Sequence, residues 1–209
     1  MSSSKDGAII VLSSPSGAGK TTLVNRISKL KKYIISVSHT TRSPRSKEIN
    51  GQHYFFVNKK KFNKLVKNNK FLEHAKVFNN LYGSSKKFVF NNLKKGKNVL
   101  FDIDWQGAKQ IKKKKLSYKL ITFFILPPSK RVLIQRLSKR HLKDKIVVKQ
   151  RMKHFNKDVK QWKEYDYVVI NDNLKKCYKQ IMKIIKLKLS NNKVKYNKIY
   201  IKKHIKNLI

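Results

Sequence analysis

The sequence predicts an α/β fold, a parallel sheet core flanked by helices, with a small lobe of mixed or antiparallel strands set apart from it. Three observations carry that expectation. Short, continuously apolar runs at 8–12, 98–103 and 120–126 look like strands covered on both faces, as parallel sheets are. Segments with apolar residues at helical spacing fall between them, the alternation that builds βαβ units. A glycine-containing turn, Ser14 to Gly19, joins the first strand to the first helix.

The elements follow in order. After the strand at 8–12, residues 20–30 place Leu23, Ile27 and Leu30 on one helical face. Residues 33–57 are rich in Ser, Thr, Arg and Gly with short alternating stretches, which suits the small lobe. Helical patterns cover 59–69, 84–95, 105–114, 130–140, 146–165 and 174–189, and a weaker strand covers 167–170. The Lys-rich end at 193–209 extends the last helix or frays. There is no internal repeat.

Composition narrows the setting. With 209 residues the core buries enough apolar surface to stand without staples, and Cys177, the only cysteine, has no partner for an intrachain bridge. The first residues lack the apolar run of a secretory signal, and the longest apolar run, 120–126, is strand-sized. A cytoplasmic protein without a membrane partner is therefore expected. The 52 basic residues against 10 acidic ones give a formal charge of +42, but the lysines are spread over the whole chain. Non-specific electrostatic binding of polyanions follows from such a charge, whereas a specific nucleic-acid partner is not expected. The six histidines and one cysteine show no zinc spacing.

The turn itself carries the first chemistry. Ser14-Pro15-Ser16-Gly17-Ala18-Gly19-Lys20-Thr21 matches the P-loop pattern G-x-x-x-x-G-K-[ST], except that Ser14 replaces the first glycine. Its position between a strand and a helix lets backbone N–H groups and the helix N-terminus surround a phosphate. Gly17 and Gly19 allow close backbone approach, Lys20 supplies a point charge, and Thr21, followed by Thr22, offers a hydroxyl to Mg²⁺. A nucleotide phosphate is expected on residues 14–22, and the motif alone leaves GTPase, ATPase, nucleoside kinase and nucleotide kinase open; ATP there follows from the family resemblance below.

Downstream motifs choose among the reactions a P-loop allows. Ser36 to Glu48 contains Ser38, Arg42 and Arg45; then come Gly51 to Val57 with Tyr54, Phe71-Leu-Glu73-His-Ala, Tyr82-Gly83-Ser84, Asp102-Ile-Asp104-Trp-Gln-Gly107 and Ile125-Leu-Pro-Pro-Ser129. In this order and spacing the chain resembles the guanylate kinase family up to about residue 189. The resemblance implies a P-loop nucleoside monophosphate kinase fold that moves the γ-phosphoryl group of ATP to GMP or dGMP. It divides the chain into core with P-loop (1–34), GMP-binding lobe (35–92), core strands (93–126), lid (127–158), and a core strand with C-terminal helix and basic tail (159–209).

The residues make physical sense in those roles. Arg42 and Arg45 present planar forks that suit a dianionic phosphate, and the resemblance adds the hydroxyls of Tyr54 and Tyr82. Guanine offers N1–H and a 2-amino group, which carboxylates accept; the resemblance implies Glu73 and Asp104 on the base, with Ser38 and Ser84 beside it. Glu48 is expected at the same substrate, or balancing the two arginines from the rim. Asp102 closes an apolar strand and resembles a carboxylate that holds Mg²⁺ beside Thr21.

Arg136 and Arg140 lie one helical turn apart, and Arg151 follows; the resemblance implies a lid whose arginines neutralise the transferring phosphoryl group, with Asn171 near adenine. Where the family has Arg-Gly-Thr or similar, this chain has Arg140-His141-Leu142-Lys143, so a glycine is absent. No general base is needed, because the phosphate of GMP is already an anion; His39, His53 and His74 read as packing residues. A non-catalytic scaffold of the same lineage is argued against by Lys20, Thr21, Asp102 and the lid arginines. Oligomeric state is not legible.

Overall fold

The structure is a computed structural model, and it describes residues 6–140 and 144–209. Its centre is a five-stranded sheet, all parallel, in the order β2-β7-β1-β8-β9. These strands are β1 (Ile9–Ser13), β2 (Tyr33–Ile35), β7 (Asn98–Asp102), β8 (Leu120–Leu126) and β9 (Tyr167–Ile170). The apolar runs are strands because each buries both faces. Ile9 and Val11 of β1 enter one core cluster while Ile10 and Leu12 enter the other, the two-residue period of a strand between helix layers.

Helices α1 (Lys20–Ile27) and α7 (Leu174–Leu189) cover one face through Leu23, Ile27, Cys177 and Ile181. The other face packs against α3 (Lys86–Lys94), α4 (Trp105–Lys113), α5 (Lys130–Arg140) and α6 (Lys145–Val159). A second sheet has the order β4-β3-β6-β5, built from β3 (His39–Thr40), β4 (Phe55–Phe56), β5 (Phe71–Val77) and β6 (Asn80–Ser85). It is mixed, with β3 parallel to β4 and antiparallel to β6. Helix α2 (Lys59–Lys67), capped by Asn58, closes its outer side with Phe62 against Phe71.

Four expectations need correction. Residues 33–35, which the local composition puts with the lobe and of which the division into units leaves only Ile35 there, form β2, the edge strand of the main sheet, in register with Asn98 to Leu100; three residues are too few to show a pattern. Residues 84 and 85 end strand β6, and the helix begins at Lys86, capped by Ser85 Oγ. The helix expected over 146–165 is α6 followed by a separate 3₁₀ turn, Lys160–Glu164. The basic end neither extends α7 nor frays. Asn191, at φ 58°, stops α7 in a Schellman motif, with Asn192 N bonding to Leu187 O at 2.8 Å.

A new helix α8 (Lys198–Leu208) then starts at the Asn197 cap and buries Ile201, Ile205 and Leu208 against the core. His204 Nε2 lies 3.0 Å from Pro127 O, and Lys130 Nζ donates to Ile209 O at 2.9 Å, so α8 braces the start of α5. Among the described residues no helix is long and apolar enough to cross a membrane. Because Ile205 fills core space, Ile205→Ala should lower unfolding stability by about 2–5 kcal/mol in urea titrations. The exposed neighbour change Lys202→Ala should stay within about 0.5 kcal/mol of the parent, and equal effects would show that α8 is not packed as described.

Candidate functional site

The C-terminal ends of β1, β7, β8 and β9 open into one cleft, the place where parallel sheets bind ligands. Its volume is about 840 Å³, and it runs from the P-loop to the second sheet. At the β1 end, Ser13 hands over to Ser14, Pro15, Ser16 and Gly17, which line the cleft, while Ala18 is buried beneath it. Gly17 and Gly19 sit at φ 88° and 93°, left-handed values that glycine adopts without strain. Helix α1 begins with no side-chain cap at Gly19 and no acidic residue in its first turn, so its leading N–H groups stay available to an anion.

Lys20 Nζ pairs with Asp102 Oδ1, and Thr21 Oγ1 donates to Asp102 Oδ2 at 2.8 Å. The pairing follows from register, since Leu12 of β1 stands beside Asp102 of β7. Thr22 lies on the rim. Asn171, just past β9, donates from Nδ2 to Ala18 O at 2.8 Å, and its own carbonyl accepts from Arg136 Nη2 at 3.1 Å. Arg151 Nη1 donates to Ser16 Oγ at 2.6 Å. Arg151 thus reaches the P-loop directly from α6, while Arg136 of α5 reaches Asn171, which is itself bonded to the loop at Ala18. The side chain of Arg140 and residues His141 to Lys143 lie outside the described residues.

At the opposite end, Arg42 directs Nη2 to both oxygens of Glu48, at 2.9 and 2.8 Å, and its guanidinium stands 5.4 Å from the Tyr54 ring centre. Arg45 donates its backbone N–H to Glu48 Oε2 at 2.8 Å and brings Nη1 to 3.6 Å from Oε1. Arg42, Arg45, Tyr54 and Tyr82 line the cleft. Of the two roles left open for Glu48, the contacts are those of the second: it stands beside the two arginines as their shared carboxylate, because adjacent cations need a counter-charge to fold together.

Glu73 is 3 % exposed at the floor of this end. It accepts from Ser84 Oγ at 2.6 Å, and Ser84 Oγ lies 3.3 Å from Ser38 Oγ. Burial pushes the Glu73 carboxyl up to about 7, against the Ser84 hydrogen bond, and the charge of Asp104 raises it further. A Cβ on Gly107 would run into Glu73 Oε2, so this glycine makes room for the carboxylate. Asp104 lines the cleft and also caps α4, accepting from Gln106 N and Gly107 N at 3.1 Å each.

Sequence motifs did not single out Trp105, His154, Lys157 or Asp158 as site residues, although all line the cleft. Burial holds Asp158 up at about 6, with the charge of Asp104 adding to it and a hydrogen bond from Trp105 opposing. One signal pointed there: Arg151, His154 and Asp158 share a helical face by spacing.

The chain is similar along most of its length to proteins of one family. A family model described as guanylate kinase matches residues 6–188. The guanylate kinase of Rickettsia prowazekii (strain Madrid E) is 47% identical over 180 residues, covering 86% of this chain and 90% of that protein. The guanylate kinase of Buchnera aphidicola subsp. Acyrthosiphon pisum (strain APS) is 43% identical over 183 residues, covering 86% and 87%. A crystal structure of guanylate kinase from Anaplasma phagocytophilum superposes with a TM-score of 0.71 at 32% identity, covering 88% of this chain and 87% of that one.

Glu73 makes stability depend on pH in a definite direction. Folded, it holds its proton up to about 7, whereas the free carboxyl releases it near 4.5, so between these values the folded chain binds more protons and stability falls as pH rises. Asp158 contributes the same sign between 3.8 and about 6. In urea titrations of the ligand-free protein, Glu73→Gln should therefore gain stability over the parent as pH is raised from about 5 to 8. A difference between the two that does not change over that range would contradict the burial of an uncompensated carboxyl.

Proposed function

Because the chain belongs to the guanylate kinase family and is an ATP-dependent GMP kinase, we propose that its cleft works as two facing anion pockets, ATP on residues 14–22 and GMP between Arg42 and Glu73. The observation that carries this reading is the convergence of Lys20, Arg42, Arg45, Arg136 and Arg151 on one cavity whose far floor is a buried carboxylate. Cations gather where phosphates meet, and the carboxylate sits where a base would be read.

In this reading the β- and γ-phosphates of ATP lie against the α1 N-terminus with Lys20 as their point charge. Asn171 closes the adenine side. The GMP phosphate takes donors of Arg42 and Arg45, together with the Tyr54 and Tyr82 hydroxyls. Glu48 acts by orienting the two arginines. Glu73 and Asp104 accept from guanine N1–H and the 2-amino group, with Ser38 and Ser84 completing the floor; a base lacking those donors leaves a buried carboxyl unpaired and is rejected. The two-site division assigns residues 35–92 to the acceptor lobe and 127–158 to the lid.

Thr21 and Asp102 are the residues that would hold Mg²⁺. They fit it, because a hard cation of this kind takes few protein oxygens and completes its shell with phosphate and water. Among the described residues no group of three or more His, Cys, Asp or Glu forms a site of its own, in keeping with an ion shared with the nucleotide. When bound, the ion neutralises phosphate charge on the donor.

Transfer is in line, from the γ-phosphorus to an acceptor oxygen that is already anionic, so no side chain takes a proton. Arg136, Arg140 and Arg151 neutralise charge on the moving phosphoryl group, and lid closure keeps water out. The reaction is placed in the cytoplasm, and the lysine charge is read as a solvated surface without a specific nucleic-acid partner.

An assay coupled to ADP release tests the division. GMP and dGMP should be used, and AMP, CMP and UMP poorly. Arg42→Ala should raise KM for GMP about 10- to 100-fold, the scale of lost charge-assisted hydrogen bonds, with little change for ATP. Glu73→Gln should lose the preference for guanine. Equal weakening of both substrates in Arg42→Ala, or unchanged discrimination in Glu73→Gln, would overturn the two-pocket reading.

A further inference from the structure

The turn between β5 and β6 is two residues long, Val77 pairing with Asn80 across it. Phe78 and Asn79 both have positive φ, 47° and 67°, as a type I′ hairpin requires. Asn79 is an ordinary choice for such a position. Phe78 is not, because a bulky side chain in the left-handed region crowds its own backbone, and small or polar residues normally stand there. A strained residue persists only where something else holds it, which makes the contacts of this ring informative.

The Phe78 ring does not turn into the core of its own lobe; it is 38% exposed and lines the cleft. The Arg151 guanidinium lies 4.8 Å from its centre, within cation–π reach. The His154 ring meets it edge-on at 5.0 Å. Both partners belong to α6, and Arg151 extends beyond the ring to Ser16 of the P-loop, where Nη1 donates to Oγ at 2.6 Å. One guanidinium is therefore held on one side by an aromatic ring from the acceptor lobe and on another by a hydroxyl from the donor loop.

We propose that Phe78 is a positioning residue for Arg151. Its ring fixes the plane of the guanidinium, so that the lid arginine reaches its working orientation only when the β5–β6 hairpin has come up to α6. The proposal rests on the reading of Arg151 as a cation of the transferring phosphoryl group, and it adds a link between the acceptor lobe and that cation. Phe78 touches neither nucleotide in this scheme. Its removal acts on turnover and not on binding, since loss of orientation raises the barrier without removing a substrate contact.

The test uses full-length Phe78→Ala, Phe78→Tyr, Arg151→Ala and the double variant Phe78→Ala/Arg151→Ala, assayed by steady-state kinetics with ATP and GMP. Phe78→Ala should lower kcat about 10-fold while leaving KM for GMP and ATP within about 3-fold. Its unfolding midpoint should change little, because the ring is partly exposed and alanine keeps the same Cβ at this positive φ. Phe78→Tyr, which keeps an aromatic face, should restore kcat. In the Arg151→Ala background the loss of Phe78 should have no further effect.

If Arg151→Ala turns over like the parent, the underlying reading of Arg151 fails and takes the proposal with it. If Arg151→Ala is slow but Phe78→Ala has parental kcat, or the two losses multiply, Arg151 keeps its role and the proposal alone is overturned. A Phe78→Ala defect confined to KM for GMP would also overturn it, assigning the ring to substrate binding.

Discussion

The contact on which the site depends is the one Asp102 makes at the end of β7 with Lys20 and Thr21 across the sheet. A lysine and a helix N-terminus at the end of a buried strand would repel each other without a counter-charge. Asp102 supplies it from the neighbouring strand, and parallel register brings it alongside. The same carboxylate is therefore the electrostatic partner of Lys20 and the acceptor of the Thr21 hydroxyl in the nucleotide-free chain, and in the proposed function it is also the oxygen that would hold Mg²⁺. Asn171 completes the junction by tying Ala18 to the next strand end.

The opposite end is built on a different balance. Arg42 and Arg45 share the single carboxylate of Glu48 within their own loop, so the cations are oriented without a phosphate. Among the described residues no cation forms a salt bridge with Glu73; it has hydroxyls, a glycine that leaves it space, and burial that favours its protonated form. A base that donates two hydrogen bonds there compensates for what burial takes away. In the proposed function, affinity for phosphate and selection of the base therefore come from separate groups, with the arginines of α5 and α6 between the two pockets.

Much of this was legible in the sequence, for identifiable reasons. Buried parallel strands show as unbroken apolar runs, so β8 and β9 could be read at their true bounds. The P-loop is a local backbone device and reads as one. In a chain filled with lysine, the two arginines of one loop stood out. Strand β2 was hidden by its length, and β5 by a buried Glu73 that breaks the apolar pattern at the residue that matters most. The helix α8 was masked by its lysines, although Ile201, Ile205 and Leu208 fall at helical spacing. Glu48 left two roles open, Asp158 showed only as part of a helical face with Arg151 and His154, and Phe78 could not be placed, because its role comes from contacts with a segment distant in sequence.

What these features share is one cleft, and the proposed function places a donor pocket and an acceptor pocket facing each other within it. The most direct measurement is the binding of a dinucleotide that joins adenosine to guanosine through five phosphates. If both pockets open on one cleft, this compound competes with ATP and with GMP and binds at least about 100-fold more tightly than either alone, because the second half binds at high effective concentration. Competition with only one substrate, at an affinity no better than that substrate's own, would contradict the account.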